Sequence, residues 1–320
     1  MPARLRSPAL AGLLLWIVVL AGCATPQAGD LLAQRPADLP QRHEITEVPF
    51  YPQEMYQCGP AALATVLAHQ GLAVTPEGIA KAVYLPGRDG TLQAEMLSGV
   101  RREGRVAYVL APRLDDLLRE VAAGTPVVVL QNLAFSFAPL WHYAVVVGYD
   151  LAREEIVLRS GTTRRLDMTL SVFERTWARS GYWAVVAASP EQVPVTAAQD
   201  RYVSAAAALE RASPAAARRA YAAALERWPL DATALLGAGN TAYAMKDLSA
   251  AEHAYRRATV AHPDSPDAWN NLAQALLDLG RTADARSAIT RALQLGGPRS
   301  AAYRATADAI DAHRSAPSQR

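Results

Sequence analysis

A spacing of 34 residues recurs through the C-terminal part of the chain and limits its fold more than any other feature. Matching residues stand 34 positions apart, among them Pro229 and Pro263, Leu235 and Trp269, Gly239 and Ala273, and Tyr255 and Ile289. A fixed period of this length is typical of stacked supersecondary units. The region is rich in alanine and has no strand pattern, so it is predicted to fold as about three helical repeats over residues 198–299.

The order of large and small residues in this region resembles the tetratricopeptide pattern of paired helices. In that family, small side chains let two helices approach closely, and proline ends the second helix of each pair. The resemblance implies an all-α solenoid over residues 198–299 that binds a protein partner through a concave face. Residues 300–320 would form a cap helix and tail. A generic alanine-rich helical bundle is the alternative.

The first 22 residues have the layout of a secretory signal. Arg4 and Arg6 precede an apolar stretch from Leu10 to Gly22, which is shorter than the roughly 20 residues that a transmembrane helix needs. The stretch ends in Leu20-Ala21-Gly22-Cys23, which resembles the lipobox of bacterial lipoproteins. This resemblance implies that residues 1–22 are removed as a signal peptide and that Cys23 is lipidated; a plain signal peptide or an anchor is the alternative. It also implies a lipid anchor in the bacterial cell envelope, and Ala24 favours the outer membrane, facing the periplasm.

Composition divides the rest of the chain. Residues 23–47 are rich in proline, glutamine and alanine without clear periodicity, which predicts a tether. Residues 48–188 show helical segments first and a mostly antiparallel set of strands afterwards, which is typical of an α+β domain. Residues 189–197 contain prolines and predict a linker to the repeats. A chain of 320 residues is long enough for two such domains.

A lone cysteine stands where the first helix of the α+β domain begins. The chain has only two cysteines, too few for a disulfide scaffold, and lipidation would use Cys23. Apolar spacing predicts a helix from Cys58 to about His69, and the partial positive charge at a helix N-terminus favours a thiolate. Gly59 leaves room beside the sulfur, and Pro60 suits the first turn. This position predicts a nucleophile; a buried, inert cysteine is the alternative.

The base that a nucleophilic cysteine needs must be one of six histidines. His43 lies in the predicted tether, and three others lie in the repeats. His69 ends the Cys58 helix, about 16 Å from its start at 1.5 Å per residue. His142 remains, at the start of a predicted strand and directly after a loop. That position predicts an imidazole that faces a cleft, whereas a structural histidine at a strand end is the alternative.

Two short motifs surround these residues: Cys-Gly-Pro-Ala from Cys58, and His-Tyr-Ala-Val-Val-Val-Gly-Tyr-Asp from His142. They resemble the papain-like, bacteriocin-processing (double-glycine) type of cysteine peptidase. With the lipobox and the repeats, the whole chain resembles bacterial lipoproteins that join such a domain to tetratricopeptide repeats. The resemblance implies a protein or peptide substrate, Cys58 as nucleophile and His142 as general base and acid. It also implies a glutamine as oxyanion donor, for which Gln53 is the match and Gln57 the alternative.

The third catalytic position departs from that family. The family pattern has an aspartate at the end of the strand after the histidine strand, and here that strand ends Val157-Leu158-Arg159-Ser160-Gly161. If the two strands form a hairpin, residues 160–162 lie opposite His142, so Ser160 is predicted to hold the imidazole. A hydroxyl stabilises an imidazolium less than a carboxylate does. Asp150, about 26 Å from His142 along an extended strand, cannot replace it.

Charge and composition exclude other classes of protein. The 32 Lys and Arg residues nearly balance 30 Asp and Glu residues, and no basic run is present, so nucleic acid is not an expected partner. We expect no cofactor and no metal. The predicted function is an envelope-anchored cysteine peptidase with a partner-binding repeat domain. The alternatives are a catalytically weak or inactive peptidase-like scaffold and an acyl transferase that passes the same thioester to an amine.

Overall fold

The computed structural model describes residues 25–52 and 57–315. The predicted signal peptide, Cys23 and Gln53 lie outside these ranges. The described residues divide into two compact units, one formed by residues 25–52, 57–96 and 109–186 and the other by residues 97–108 and 187–315. Within the described ranges, every helix is too short or too polar to cross a bilayer.

Helices and strands alternate irregularly up to residue 188. The helices are α1 (Pro26–Ala33), α2 (Cys58–His69), α3 (Pro76–Val83), α4 (Gln93–Arg102), α5 (Leu114–Ala122) and α6 (Leu170–Ala178), with a 3-10 turn at Pro86–Arg88. The strands are β1 (Arg42–Glu44), β2 (Val106–Val109), β3 (Val127–Asn132), β4 (Trp141–Asp150), β5 (Glu155–Ser160), β6 (Thr163–Thr169) and β7 (Ala184–Ala188). The predicted α+β class is confirmed.

The strands form one sheet in the order β2-β7-β3-β4-β5-β6, and β1 pairs with the end of β4. The pairings of β4 with β3, β1 and β5 are antiparallel, as are those of β3 with β7 and β5 with β6. The apolar runs 127–129 and 144–147 are fully buried, because continuous apolar strands are covered on both faces. Helix α2 packs on β3 and β4, and the backbone N–H of Tyr143 near the start of β4 donates to the Cys58 thiol at the start of α2.

Residues 25–47 are folded, so the predicted tether is wrong over this range. Helix α1 contacts α5 and α6, and β1 joins the sheet. The buried carboxylate of Glu174 accepts hydrogen bonds from the backbone N–H groups of Gln27 and Ala28, at 3.1 and 2.6 Å. Gln27 Oε1 in turn accepts the N–H of Leu114 at 2.6 Å, at the start of α5. An eight-residue helix and a three-residue strand are too short to show a periodic pattern.

Strand β6 was not predicted either. It lies at the edge of the sheet, and its five polar residues are exposed, whereas Leu166 and Met168 are partly buried. Only those two positions carry the alternation that marks a strand. A polar edge strand of this kind discourages pairing with other chains, which explains its composition.

The second unit contains three helix pairs and a terminal helix. The pairs are α7 (Gln199–Leu209) with α8 (Pro214–Arg227), α9 (Ala232–Ala244) with α10 (Leu248–Ala261), and α11 (Pro266–Asp278) with α12 (Thr282–Leu295), followed by α13 (Ser300–Ser315). The side chains of Ser213, Asp231, Asp247 and Ser265 cap the helices that follow them. Both Pro229 and Pro263 follow the C-cap residue of the second helix of a pair, as predicted.

Residues 97–108 belong to the second unit, which the predicted division between residues 188 and 189 does not anticipate. The Tyr108 ring lies 6.4 Å from the ring of Tyr202, and its hydroxyl accepts the N–H of Ala198 at 3.0 Å. These contacts connect residues that are about 90 positions apart, so local sequence patterns do not reveal them. The predicted linker, residues 189–197, has no helix or strand.

Candidate active site

Cys58 is the first residue of α2, as the apolar spacing predicts. Residues 59–67 of this helix are all buried, so the helix cannot shift without exposing its apolar side chains. Gln57 at the N-cap makes no side-chain hydrogen bond to the first turn. The N–H groups of that turn therefore remain available to an anion at the sulfur or at a bound carbonyl oxygen.

The pKa of the half-buried Cys58 thiol lies above its ordinary value because burial disfavours the thiolate. Backbone N–H groups of Tyr143, Gly59 and Cys58 act in the opposite direction but do not overcome this effect. The prediction of a stabilised thiolate at neutral pH is therefore wrong in direction. Sequence reasoning identified the helix N-terminus and had no measure of how deeply the sulfur is buried.

Gly59 is needed for a reason that differs from the predicted one. A Cβ atom at this position would lie 2.7 Å from Thr91 Cβ and 3.2 Å from Met96 Sδ. Both distances are shorter than ordinary packing allows. The missing side chain thus lets the segment before α4, and α4 itself, pack against the first turn of α2, which fixes one wall of the site.

His142 is the second residue of β4 and is half-buried. Its Nε2 atom lies 2.9 Å from Ser160 Oγ, at the end of β5, so the hydrogen bond that the hairpin predicts is present. Burial lowers the pKa of His142, because the imidazolium loses hydration. The imidazole is therefore neutral at pH 7. Asp150 is at the opposite end of β4 from His142, as predicted.

Cys58 and His142 line the same cavity, whose volume is about 930 Å³. Further lining residues are both apolar and polar. The apolar ones are Leu92, Leu130, Leu133, Pro139, Leu140 and Trp141, and the polar ones are Arg88, Asp89, Thr91, Gln93, Arg179 and Ser180. Gln57 is exposed next to Cys58, whereas Gln53 lies outside the described residues. Within the described ranges, no group of three metal-binding side chains is present.

The residues that form the rim of the cavity were missed by sequence reasoning. Leu133, Leu140 and Trp141 lie in or beside the loop before His142 and are 42, 59 and 50% exposed. A loop with so many large apolar residues is unusual, since connecting segments are usually polar. That composition was the feature of the sequence that could have indicated this rim. No local sequence pattern predicts the position of Arg179, because it reaches this loop from the end of α6, more than 40 residues after the loop in the sequence.

Iodoacetamide should alkylate Cys58 slowly at pH 7 and faster as the pH rises above the ordinary thiol pKa of about 8.5. A raised thiol pKa makes the reactive thiolate a minor form at neutral pH, so the rise in rate moves to higher pH. Mass spectrometry of the Cys58 peptide between pH 6 and 10 measures the rate, with glutathione as the free-thiol control. An alkylation rate that is already at its maximum at pH 7 and does not rise further would contradict the claim that burial raises the pKa of the Cys58 thiol.

Several solved structures are similar to parts of this chain. A candidate C39-like peptidase of Bacillus anthracis is 19% identical, with a TM-score of 0.38, and the match covers 45% of this chain and 96% of that one. A double glycine motif protease from an AMS/PCAT transporter, in complex with the leader peptide, is 20% identical with a TM-score of 0.33. That match covers 44% of this chain and 89% of the protease. The type III secretion translocator chaperone SycD of Yersinia enterocolitica is 22% identical with a TM-score of 0.35. That match covers 37% of this chain and 95% of the chaperone.

Family comparisons cover both units separately. Residues 45–185 match the Peptidase_C39 like family, and this range includes Cys58, His142 and Ser160. Residues 202–266 and 236–305 match the tetratricopeptide repeat. A comparison with curated proteins gave no match. The chain therefore carries a Peptidase_C39-like domain followed by tetratricopeptide repeats.

Proposed function

We propose that this protein is an envelope-anchored cysteine peptidase that hydrolyses a peptide bond through a thioester on Cys58. One observation carries the proposal: Cys58, at a helix N-terminus, lines the same cavity as His142, whose imidazole is hydrogen-bonded to Ser160. The family match over this domain supports the same reaction class. A nucleophile, a base and a group that orients the base are the parts that such a reaction requires.

The two ring nitrogens of His142 have different roles in this mechanism. In the tautomer in which Nε2 donates to Ser160, Nδ1 carries the lone pair and accepts the thiol proton as sulfur attacks the carbonyl carbon. The resulting imidazolium gives that proton to the leaving amine as the C–N bond breaks, which leaves a thioester. His142 then deprotonates water, which attacks the thioester and releases a carboxylate and the thiol. A neutral thiol and a neutral imidazole as the starting pair fit both pKa shifts.

The oxyanion of each tetrahedral intermediate needs hydrogen-bond donors. The backbone N–H of Cys58 is one donor in the proposal, because it belongs to the uncapped first turn of α2. The second is a glutamine side chain, with Gln53 as the first choice and Gln57 as the alternative. Gln57 is exposed beside the nucleophile, and its adjacency to Cys58 makes it the poorer donor.

A binding scaffold with little or no turnover is the second candidate function. One observation favours it: Ser160 supplies a hydroxyl where the resemblance expects a carboxylate. In this alternative the cavity and the repeats bind proteins without cleaving them. The repeats serve as a protein-binding domain in both candidates, and the tetratricopeptide match supports that role.

A peptide library separates these candidates. Wild-type protein and the Cys58→Ser variant are incubated with the library, and the products are identified by mass spectrometry. A peptidase gives new carboxyl termini with the wild type alone. No products with either protein would support the scaffold, whereas products in which an added amine replaces water would identify an acyl transferase.

Cys23→Ala should leave an unprocessed or mislocalised precursor in the bacterial host. The proposed lipid is attached to that thiol, so its loss removes both the anchor and the signal for cleavage. Fractionation of the envelope followed by mass spectrometry of the N-terminus measures the effect, with Cys58→Ala as the control that keeps the lipobox. Normal processing and membrane recovery of Cys23→Ala would rule out lipidation at this residue.

A further inference from the structure

The loop between β3 and β4 has an apolar tip beside the cavity. We call residues 133–140 the aromatic loop. Phe135 and Phe137 are 65 and 87% exposed, and their rings stack with centroids 5.3 Å apart. Leu133, Leu140 and Trp141 are exposed as well, so five large apolar side chains within nine residues are exposed to solvent, and exposed apolar patches mark interaction sites.

Hydrogen bonds at the base of the aromatic loop hold this tip in place. Asn132 Oδ1 accepts the N–H groups of Ala134 and Leu140, at 3.1 and 2.9 Å. Arg179 Nη1 donates to the carbonyl oxygens of Asn132 and Ala134, at 3.2 and 2.7 Å. The base of the loop is thus held from two sides, and it presents both phenylalanine rings to solvent.

The proposed lipid anchor directly precedes a helix that packs on α6. Cys23 precedes the first residue of α1, Pro26, by three positions, which span at most about 10 Å. The first turn of α1 is fixed to Glu174 on α6. Arg179, which holds the aromatic loop, is the C-cap residue of α6, five positions after Glu174. Residues of α6 and of its C-cap therefore hold both the start of α1 and the base of the aromatic loop.

We propose that the aromatic loop inserts Phe135 and Phe137 into the bilayer that carries the Cys23 lipid. The inference rests on the anchoring part of the proposed function. Because α1 begins only three positions after Cys23, few residues separate the proposed lipid from the folded domain. Aromatic side chains partition favourably into the bilayer interface. Insertion would open the Cys58 cavity at the membrane surface, where its substrates would be peptide segments that lie on or emerge from the bilayer.

A tryptophan in place of Phe137 reports insertion. The mature protein carrying Phe137→Trp is reconstituted into vesicles of phosphatidylethanolamine and phosphatidylglycerol, with and without brominated acyl chains. The fluorescence added by the new tryptophan is the difference between the variant and the wild type. This added emission should be blue-shifted, and the brominated lipid should quench it at least twofold. Added emission that stays at the wavelength of water-exposed tryptophan, without quenching, would overturn the proposal.

Ala152→Trp is the matched control. Ala152 is exposed in the turn that follows β4, about 30 Å along that strand from Trp141, so its added emission should not be quenched. Equal quenching in both variants would overturn the insertion of this particular loop. The proposal is also overturned if peptides shift the emission of the tryptophan at position 137 and vesicles do not. The loop would then contact the substrate and not the membrane.

The intact mass of the Phe137→Trp variant separates this inference from the anchoring on which it rests. A lipidated chain whose added emission is not quenched contradicts insertion and leaves anchoring intact. A chain without lipid whose added emission is quenched on added vesicles contradicts anchoring and supports insertion. As a second variant, Phe135→Ser combined with Phe137→Ser should weaken the binding of such an unlipidated chain to vesicles at least tenfold; unchanged binding would contradict the proposal.

Discussion

Replacing Cys58 by serine should lower turnover by about 10³-fold or more, and replacing His142 by alanine should lower it by about 10²- to 10⁴-fold. These variants remove the nucleophile and the general base. Ser160→Ala should lower kcat by only about two- to tenfold, since a neutral hydrogen bond contributes about 0.5–1.5 kcal/mol. The rates are measured with one peptide that the library identifies as a substrate.

Ser160→Asp is the informative companion to these variants. A carboxylate at this position would stabilise the His142 imidazolium and raise kcat, provided that the neighbouring Arg159 does not draw it away. Arg159 is buried and donates to the carbonyl oxygens of Arg164 and Val48, so it already has partners. Wild-type turnover by Cys58→Ser would refute the mechanism, and a loss in Ser160→Ala as large as that in His142→Ala would refute the minor role of the hydroxyl.

Gly239→Ala should destabilise the repeat unit by about 1–3 kcal/mol, the usual effect of overpacking a core. A Cβ atom at this position would lie 2.3 Å from Cε1 of Tyr255, which is 3% exposed and cannot swing away. One period further on, Ala273 and Ile289 occupy the equivalent positions in the same core cluster. The double variant Gly239→Ala with Tyr255→Ile copies that pair and should recover most of the lost stability.

Thermal unfolding followed by circular dichroism measures this effect. Gly29→Ala in α1 is the control, because a Cβ atom there meets nothing within 4 Å. It should be neutral or stabilising, as alanine has the higher helix propensity. An unchanged melting temperature in Gly239→Ala, or a double variant less stable than the single one, would contradict the close approach of α9 to Tyr255.

The sequence predicts those parts of the fold whose patterns are long or repeated. Helix α2 was predicted with its observed bounds because its apolar spacing is unbroken from Cys58 to His69. The repeats were predictable because one period recurs over about 100 residues. By contrast, α1, β1 and β6 are short or polar, and long-range contacts such as those of Glu174 with Gln27 and Ala28 determine where α1 packs.

The candidate site was predictable as a set of residues and less so in its electrostatics. Counting residues along the predicted hairpin was enough to predict the contact between Ser160 and His142, which the structure contains. The protonation of Cys58 depends on its burial, which helices and strands distant in sequence create, so the helix dipole alone gave the wrong direction. The apolar rim around Trp141 depends on how one loop folds back on Asn132, and loop conformation has no periodic signal.

The central claim is that Cys58 forms a thioester with the substrate, and a single-turnover experiment tests it most directly. Enzyme in excess is mixed with a cleavable peptide, quenched in acid at a series of times and analysed by mass spectrometry. The account predicts that the N-terminal fragment of the peptide is attached to Cys58 before the free acid appears. Cleavage that proceeds to completion with no adduct on Cys58 at any time, or that persists in Cys58→Ser, would contradict it.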